Sequence, residues 1–156
     1  MQRIIVTEIA RGAFRGDVQE ANLYALEVRD HIMIAHSLPG EFFGPAQGLH
    51  GATFIVDVAF FRETLDAHNV VVDIGRASEV LSGVLKTLNY ANLDALPALA
   101  GKLTTTEFLC RHIFDAMLVA IKAGSLGPDA DGLASLRVTL QESHVARAWF
   151  EGPVAA

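Results

Sequence analysis

The chain of 156 residues has one cysteine, Cys110, so it cannot close an intramolecular disulfide, and it fits a reducing compartment. Basic residues are in the minority. Twelve lysines and arginines against 18 aspartates and glutamates leave a net charge of −6, which argues against the basic face that nucleic-acid binding requires. No apolar run approaches a membrane span, and the opening MQRIIVTEIARGAF lacks the basic-then-apolar order of a signal segment. The expectation is a cytoplasmic protein with no nucleic-acid or membrane partner. There is also no phosphate loop, no dinucleotide glycine fingerprint and no serine nucleophile elbow. Cys110 sits in a helical stretch beside Leu109, without the pattern of an activated nucleophile.

What is present is apolar. Hydrophobic residues make up 51% of the chain and charged residues only 19%, so it is globular rather than disordered. At this length one domain, 1–156, can bury about 68–70% of its unfolded surface. The apolar excess also points to a homo-oligomer.

Periodicity supplies the elements. A short apolar run, Ile4 to Ile9, can form a strand. Over 23–36, Tyr24, Leu26, Val28, Ile32, Ile34 and His36 share one strand face, with Asp30 interrupting it. Pro39, Gly40, Gly44, Pro45 and Gly48 then mark a loop. A second strand over 50–61 alternates His50, Ala52, Phe54, Val56, Val58 and Phe60 against Gly51, Thr53, Ile55 and Asp57. After a turn at 66–69, Ile74, Ala77, Leu81, Val84, Leu85 and Leu88 keep helical spacing. Thr104 and Glu107 have capping-box spacing for a second helix, whose buried stripe is Leu109, Ile113, Ala116, Met117, Ala120 and Ile121. Gly124 and the GPDADG segment stop it. Strands at 136–142 and 145–150 complete a ββααββ order: an α+β layer of four antiparallel strands with two helices on one face.

Three features carry chemistry. His36 ends the first strand and His50 begins the second, so an antiparallel pair brings two imidazoles to one end of the sheet. That suits zinc, or equally two ordinary strand-end histidines with hydrogen-bond partners. Glu142 continues the apolar stripe Leu136, Val138, Leu140. A carboxylate there needs a partner, either a ligand edge with adjacent N–H donors or a nearby arginine. Thr104-Thr105-Thr106-Glu107 opens a helix whose free N–H groups can hold a polar ring, although capping alone explains Thr104 and Glu107. His31, His68, His112 and His144 are expected to be structural or solvent-facing.

Five segments in order resemble the 6-pyruvoyl- and 6-carboxy-tetrahydropterin synthases of the tunnelling fold. IMIAHSL resembles the family's first-strand segment ending Ala-Ala-His, and LHGATFIVDV its His-Gly-His strand. VVVDIGRASEVLSGVLKTLNYANL resembles its Met-Val-x-Asp-Phe stretch, helix and Leu-Asp-His-x-x-Leu-Asn. TTTEFL resembles Pro-Thr-x-Glu-Asn, and LQESHVARAWF the closing Glu-Thr segment. The resemblance covers about Tyr24 to Phe150. It implies subunits joined through their sheets into a barrel-like ring, commonly a hexamer, with a pocket between subunits. It places Glu142 where the family grips a pterin's 2-amino and N3 edge, with Thr105 and Glu107 beside the ring. His36 and His50 fall on two of three zinc ligands.

The departures are equally specific. Ala52 stands at the third zinc position, with Asp30, Asp73 and His31 as open candidates to replace it. Ala46 stands where a catalytic cysteine, or in a variant subgroup a glutamate, is expected. Asn89 and Tyr90 replace an Asp-His pair. Tyr90 is the candidate replacement proton donor; its ordinary phenol pKa of about 10 suits an acid. The resemblance therefore implies a pterin carbon–oxygen lyase or isomerase with an altered zinc-dependent mechanism. It acts on a dihydroneopterin-triphosphate-type or purine-like ring. The other reading is a binding or regulatory protein that keeps the scaffold without catalysis.

Overall fold

The computed structural model describes residues 22–154; the expected strand over Ile4–Ile9 lies outside them. Two long strands dominate. β1 (Tyr24–His36) and β2 (His50–Arg62) pair antiparallel without a break, from Tyr24 opposite Arg62 to His36 opposite His50. Side chains alternate between the two faces of a strand, so this register puts Val28, Ile32 and Ile34 on the same side as Phe54, Val56, Val58 and Phe60. β4 (Ser135–Gln141) pairs with the other edge of β2 and adds Leu136, Val138 and Leu140 to that side; β5 (Arg147–Pro153) closes the row. Helix α1 (Ile74–Leu85) packs against β1, and α2 (Thr106–Lys122) against β4 and β5. Between sheet and helices lies one core, with Leu81, Leu109, Ile113 and Met117 fully buried.

The sheet is not purely four-stranded. A two-residue strand, β3 (Ala91–Asn92), runs parallel to β1, giving a mixed five-stranded order β3-β1-β2-β4-β5. The cause is local. The Asn89 Oδ1 accepts from Met33 N at 2.9 Å, and Tyr90 N donates to the Met33 carbonyl at 2.7 Å, steering the chain along the outer edge of β1. Other boundaries shift by a few residues. Glu142 lies one position beyond β4. β5 starts at Arg147 rather than Val145, because the Ser143 hydroxyl accepts from Val145 N and holds those residues in a turn. Ile74, expected in the buried stripe of α1, is exposed at the first helical position after its cap, Asp73. Ala116 and Ala120 are only half-buried, and Cys110 and Phe114 complete the α2 core instead. Thr105 rather than Thr104 caps α2, its hydroxyl accepting from Phe108 N at 3.3 Å.

At the far end of β2 the buried Arg62 donates to the carbonyls of Val71 and Asp129, tying the turn after β2 to the short 3-10 segment Pro128–Gly132. The face of the sheet away from the helices is polar. Arg29 lies opposite Asp57 in register and bonds it bidentately, and Arg137 pairs with Glu151. Among the described residues β5 has no strand on its outer side, and β1 has one only at Ile34 and Ala35. No helix among them is long and apolar enough to cross a membrane.

Phe54 is wholly enclosed, so Phe54→Ala is expected to lower the unfolding free energy by about 3–5 kcal/mol in urea denaturation. Val119→Ala, on the exposed side of α2, should change it by no more than about 0.5 kcal/mol. Equal effects at the two positions would contradict this core.

Candidate functional site

The β1–β2 register fixes the site. Because His36 is the last residue of β1 and lies directly opposite His50, the two rings meet at one end of the sheet, with centroids 4.6 Å apart and planes tilted by 58°. Each ring is held at its inner nitrogen. The His36 Nδ1 lies 3.1 Å from the Thr104 carbonyl and 3.0 Å from its hydroxyl. The His50 Nδ1 lies 2.8 Å from the Gly48 carbonyl. A carbonyl only accepts, so both Nδ1 atoms carry the proton and both Nε2 atoms keep a lone pair. His36 is 2% exposed, and its Nε2 is a buried polar atom with no partner among the described residues. Such an atom costs free energy unless a ligand satisfies it.

Three carboxylate-bearing or hydroxyl-bearing positions gather around this pair. Glu142, just beyond β4, is exposed, and its Oε2 accepts from the Thr106 hydroxyl at 3.0 Å. Asp94 accepts from both the backbone N–H and the hydroxyl of Ser37, the residue after His36. The negative charges of Asp94 and Glu142 both reach the His36 ring. Thr104, 1% exposed, serves the histidine rather than the helix. Asp94, Thr104 and Thr106 were not singled out as site residues in the sequence. The run of three threonines before a helix is the signal for two of them, with capping accounting for Thr104 alone of the two; nothing marks Asp94.

The remaining expected residues fall less centrally. Thr105 spends its hydroxyl on the α2 cap, and Glu107 is exposed in the first helical turn. Tyr90 is 79% exposed at φ +57, and its backbone is level with Met33, three residues or about 10 Å along β1 from His36. Ala46 is half-buried, its carbonyl accepting from Leu38 N. None of the three candidates for a third metal ligand is near. Asp73 caps α1, Asp30 is six residues or about 20 Å up β1, and His31 is exposed on the opposite strand face. Ala52 does lie on the face of His50, opposite Ile34, so a zinc ion held by three protein imidazoles does not fit this end. A separate His/Asp group, Asp66, His68 and Asp129, brings its ligand atoms within 4.8 Å of one another at the opposite end of the sheet. His68, expected to be structural or solvent-facing, is exposed there.

Burial, and next the charge of His50, lower the proton affinity of His36; the bond to Thr104 and the charges of Asp94 and Glu142 oppose them without prevailing. The folded protein then binds fewer protons than the unfolded chain below about pH 6.5, so stability is complete above that value and falls as pH drops through it. In an NMR titration the His36 ring should protonate below about pH 6.5. A higher midpoint would contradict its burial as a neutral ring.

The family model for 6-pyruvoyl tetrahydropterin synthase matches residues 25–153. No curated protein matches the chain. Among solved structures, the 6-pyruvoyl tetrahydropterin synthase of Caenorhabditis elegans superposes with a TM-score of 0.69 at 21% identity, covering 83% of this chain and 96% of that one. The Plasmodium vivax enzyme of the same name gives 0.70 at 17%, covering 84% and 98%. An uncharacterized protein from Wolinella succinogenes gives 0.58 at 12%, covering 82% and 97%. At these identities the superpositions establish the fold, which is the α+β tunnelling type. The family match, which takes in both long strands, both helices and the closing hairpin, makes this chain a divergent member of the 6-pyruvoyl tetrahydropterin synthase family.

Proposed function

We propose that the chain binds a pterin, or a related purine-like ring, at the His36–His50 end of the sheet. Glu142 grips the ring's N–H edge there. The observation that carries this reading is the convergence of an exposed, oriented carboxylate with a buried histidine nitrogen that has no protein partner. Thr106 holds one oxygen of Glu142 and leaves the other for a ligand donor. A guanidine-like ring edge offers two adjacent N–H groups, which a carboxylate receives in parallel. Thr105 and Glu107 line the approach at the start of α2.

The site is proposed to be completed by a second copy. Phe42 (93% exposed), in the 3-10 segment Glu41–Gln47, and Leu49, Leu103 and Val145 in the connections at this end are more apolar than a free surface needs. The unpaired outer edges of β1 and β5 are open to strand addition. A ring, commonly a hexamer, buries both.

Catalysis is proposed as a lyase or isomerase reaction on the ring's side chain, with Tyr90 as donor. Its left-handed backbone is a costly conformation for a bulky residue and one that clusters at functional sites. The competing reading is a binding protein without turnover, favoured by alanine at positions 46 and 52.

Calorimetric titration with neopterin and dihydroneopterin triphosphate tests the pocket. Glu142→Gln should weaken binding by at least about tenfold, because hydrogen bonds to a charged group are worth about 1.5–3 kcal/mol. Absence of binding by the assembled wild-type protein would remove the pterin assignment. Turnover that survives Tyr90→Phe unchanged would remove Tyr90 from catalysis, and binding without any turnover would select the second reading.

A further inference from the structure

We infer that Asp66, His68 and Asp129 form a second ligand site at the opposite end of the sheet from the histidine pair. It is a three-donor seat for a divalent cation, and its open side faces a cavity that takes a small phosphate. The inference stands on its own residues and does not depend on what binds at the His36–His50 end.

The donors come from two connections far apart in the chain, and one buried side chain joins them. Arg62, 7% exposed, donates to the Val71 carbonyl at 3.0 Å and to the Asp129 carbonyl at 3.1 Å. The turn after β2 and the segment Pro128–Gly132 cannot separate without stranding a buried guanidinium. The turn is also closed on itself. Asp66 N donates to the Val70 carbonyl at 3.1 Å, and Asn69 N to the Asp66 carbonyl at 3.0 Å. The Asp66 Oδ1 accepts from His68 N at 2.8 Å and from Val70 N at 3.1 Å, which aims the carboxylate and leaves Oδ2 for another partner. So anchored, Asp66, His68 and Asp129 each bring one ligand atom within 4.8 Å of the other two.

What the group lacks is a cation in contact. None of its three side chains makes an ion pair among the described residues. The charge of Arg62 reaches Asp66, but its hydrogen bonds go to carbonyls, and it offsets at most one of the two negative charges. One imidazole with two carboxylates is a donor set that suits Mn2+ or Zn2+. Donors sharing an ion at about 2.1 Å stand at most about 4.2 Å apart, so the seat closes by a side-chain movement of about 0.6 Å. Three protein donors leave the ion open to a further ligand. The cavity beside the group measures about 590 Å³, and Arg76 stands on its wall. The Arg76 guanidinium lies against Gly127, where an added Cβ would come within 2.8 Å of Nη1 and where φ is +88, so only glycine fits there. Arg76 has no carboxylate partner among the described residues either. A phosphate can give one oxygen to the ion and another to this guanidinium.

The test titrates the full-length protein with Mn2+, following free Mn2+ by electron paramagnetic resonance, with and without methyl phosphate. Asp129→Asn and His68→Gln should each weaken Mn2+ binding by at least about tenfold, since even outer-sphere partners change metal affinity by about 10–100-fold. His50→Gln should leave this binding unchanged, which separates it from the other end of the sheet. Asp66→Asn keeps the Oδ1 that accepts from the turn and removes only the charge. It should lose Mn2+ binding while keeping the wild-type melting temperature in metal-free buffer, a result that a purely turn-forming Asp66 would not give. Methyl phosphate should raise Mn2+ affinity at least about fivefold, and Mn2+ should raise that of methyl phosphate by the same factor. Arg76→Gln should remove this gain and leave binding of Mn2+ alone intact.

A wild type that binds no Mn2+ would overturn the site. So would binding that survives both Asp129→Asn and His68→Gln, or binding that disappears with His50→Gln. A phosphate gain that is absent, or that persists in Arg76→Gln, would overturn the phosphate half of the inference. Neopterin binding plays no part in these outcomes, so failure of the pterin reading and failure of this one are told apart.

Discussion

The uninterrupted antiparallel pairing of β1 and β2 is the constraint from which the rest follows. Thirteen residues of each strand lie in one register, and a slip by a single position would turn every buried side chain out to solvent. Phe54, Val56, Val58 and Phe60 are each wholly buried in the one core that the sheet and helices share, so no other register keeps the core dry. The same pairing leaves no freedom for the two histidines. His36 and His50 are the last pair of the ladder, and whatever fixes the core fixes them opposite one another. The His36–His50 end is thereby held by the long β1–β2 pairing rather than by a loop.

A second layer of polar contacts then sets what that end can do. Thr104 orients His36, Gly48 orients His50, Thr106 orients Glu142, and Asp94 anchors Ser37 next to His36. Each anchor sits on an element different from the residue it serves, apart from the Gly48 carbonyl. The start of α2 therefore acts on both the histidine pair and the glutamate. Consecutive threonines divide the work: one holds the ring, one caps the helix, one holds the carboxylate.

Much of this was legible in the sequence. Alternation across 23–36, interrupted at Asp30, and across 50–61 marked both strands, observed at Tyr24–His36 and His50–Arg62, and the Leu136-Val138-Leu140 stripe marked a third, because a half-buried strand has a two-residue period. His36, His50 and Glu142 could be placed at element ends for the same reason. β3 could not, since two residues carry no period and their position depends on an asparagine side chain contacting another strand. The choice between Thr104 and Thr105 as cap was equally hidden. Both satisfy local spacing, and the decision is made by a histidine 68 residues away. Asp94 lies in a 3-10 turn and is indistinguishable in sequence from a solvated aspartate. Local pattern names elements; contacts between distant segments name the site.

The one cysteine has a consequence of its own. Cys110 is fully enclosed in α2, its thiol donates to the Ala148 carbonyl at 3.3 Å, and burial pushes its pKa up to about 11. At neutral pH almost none of it is thiolate, the form that attacks electrophiles and is first oxidised. A thiolate nucleophile from Cys110 therefore has no part in the reading of the His36–His50 end. Alkylating agents and peroxide, which react with the thiolate, find almost none of it at neutral pH.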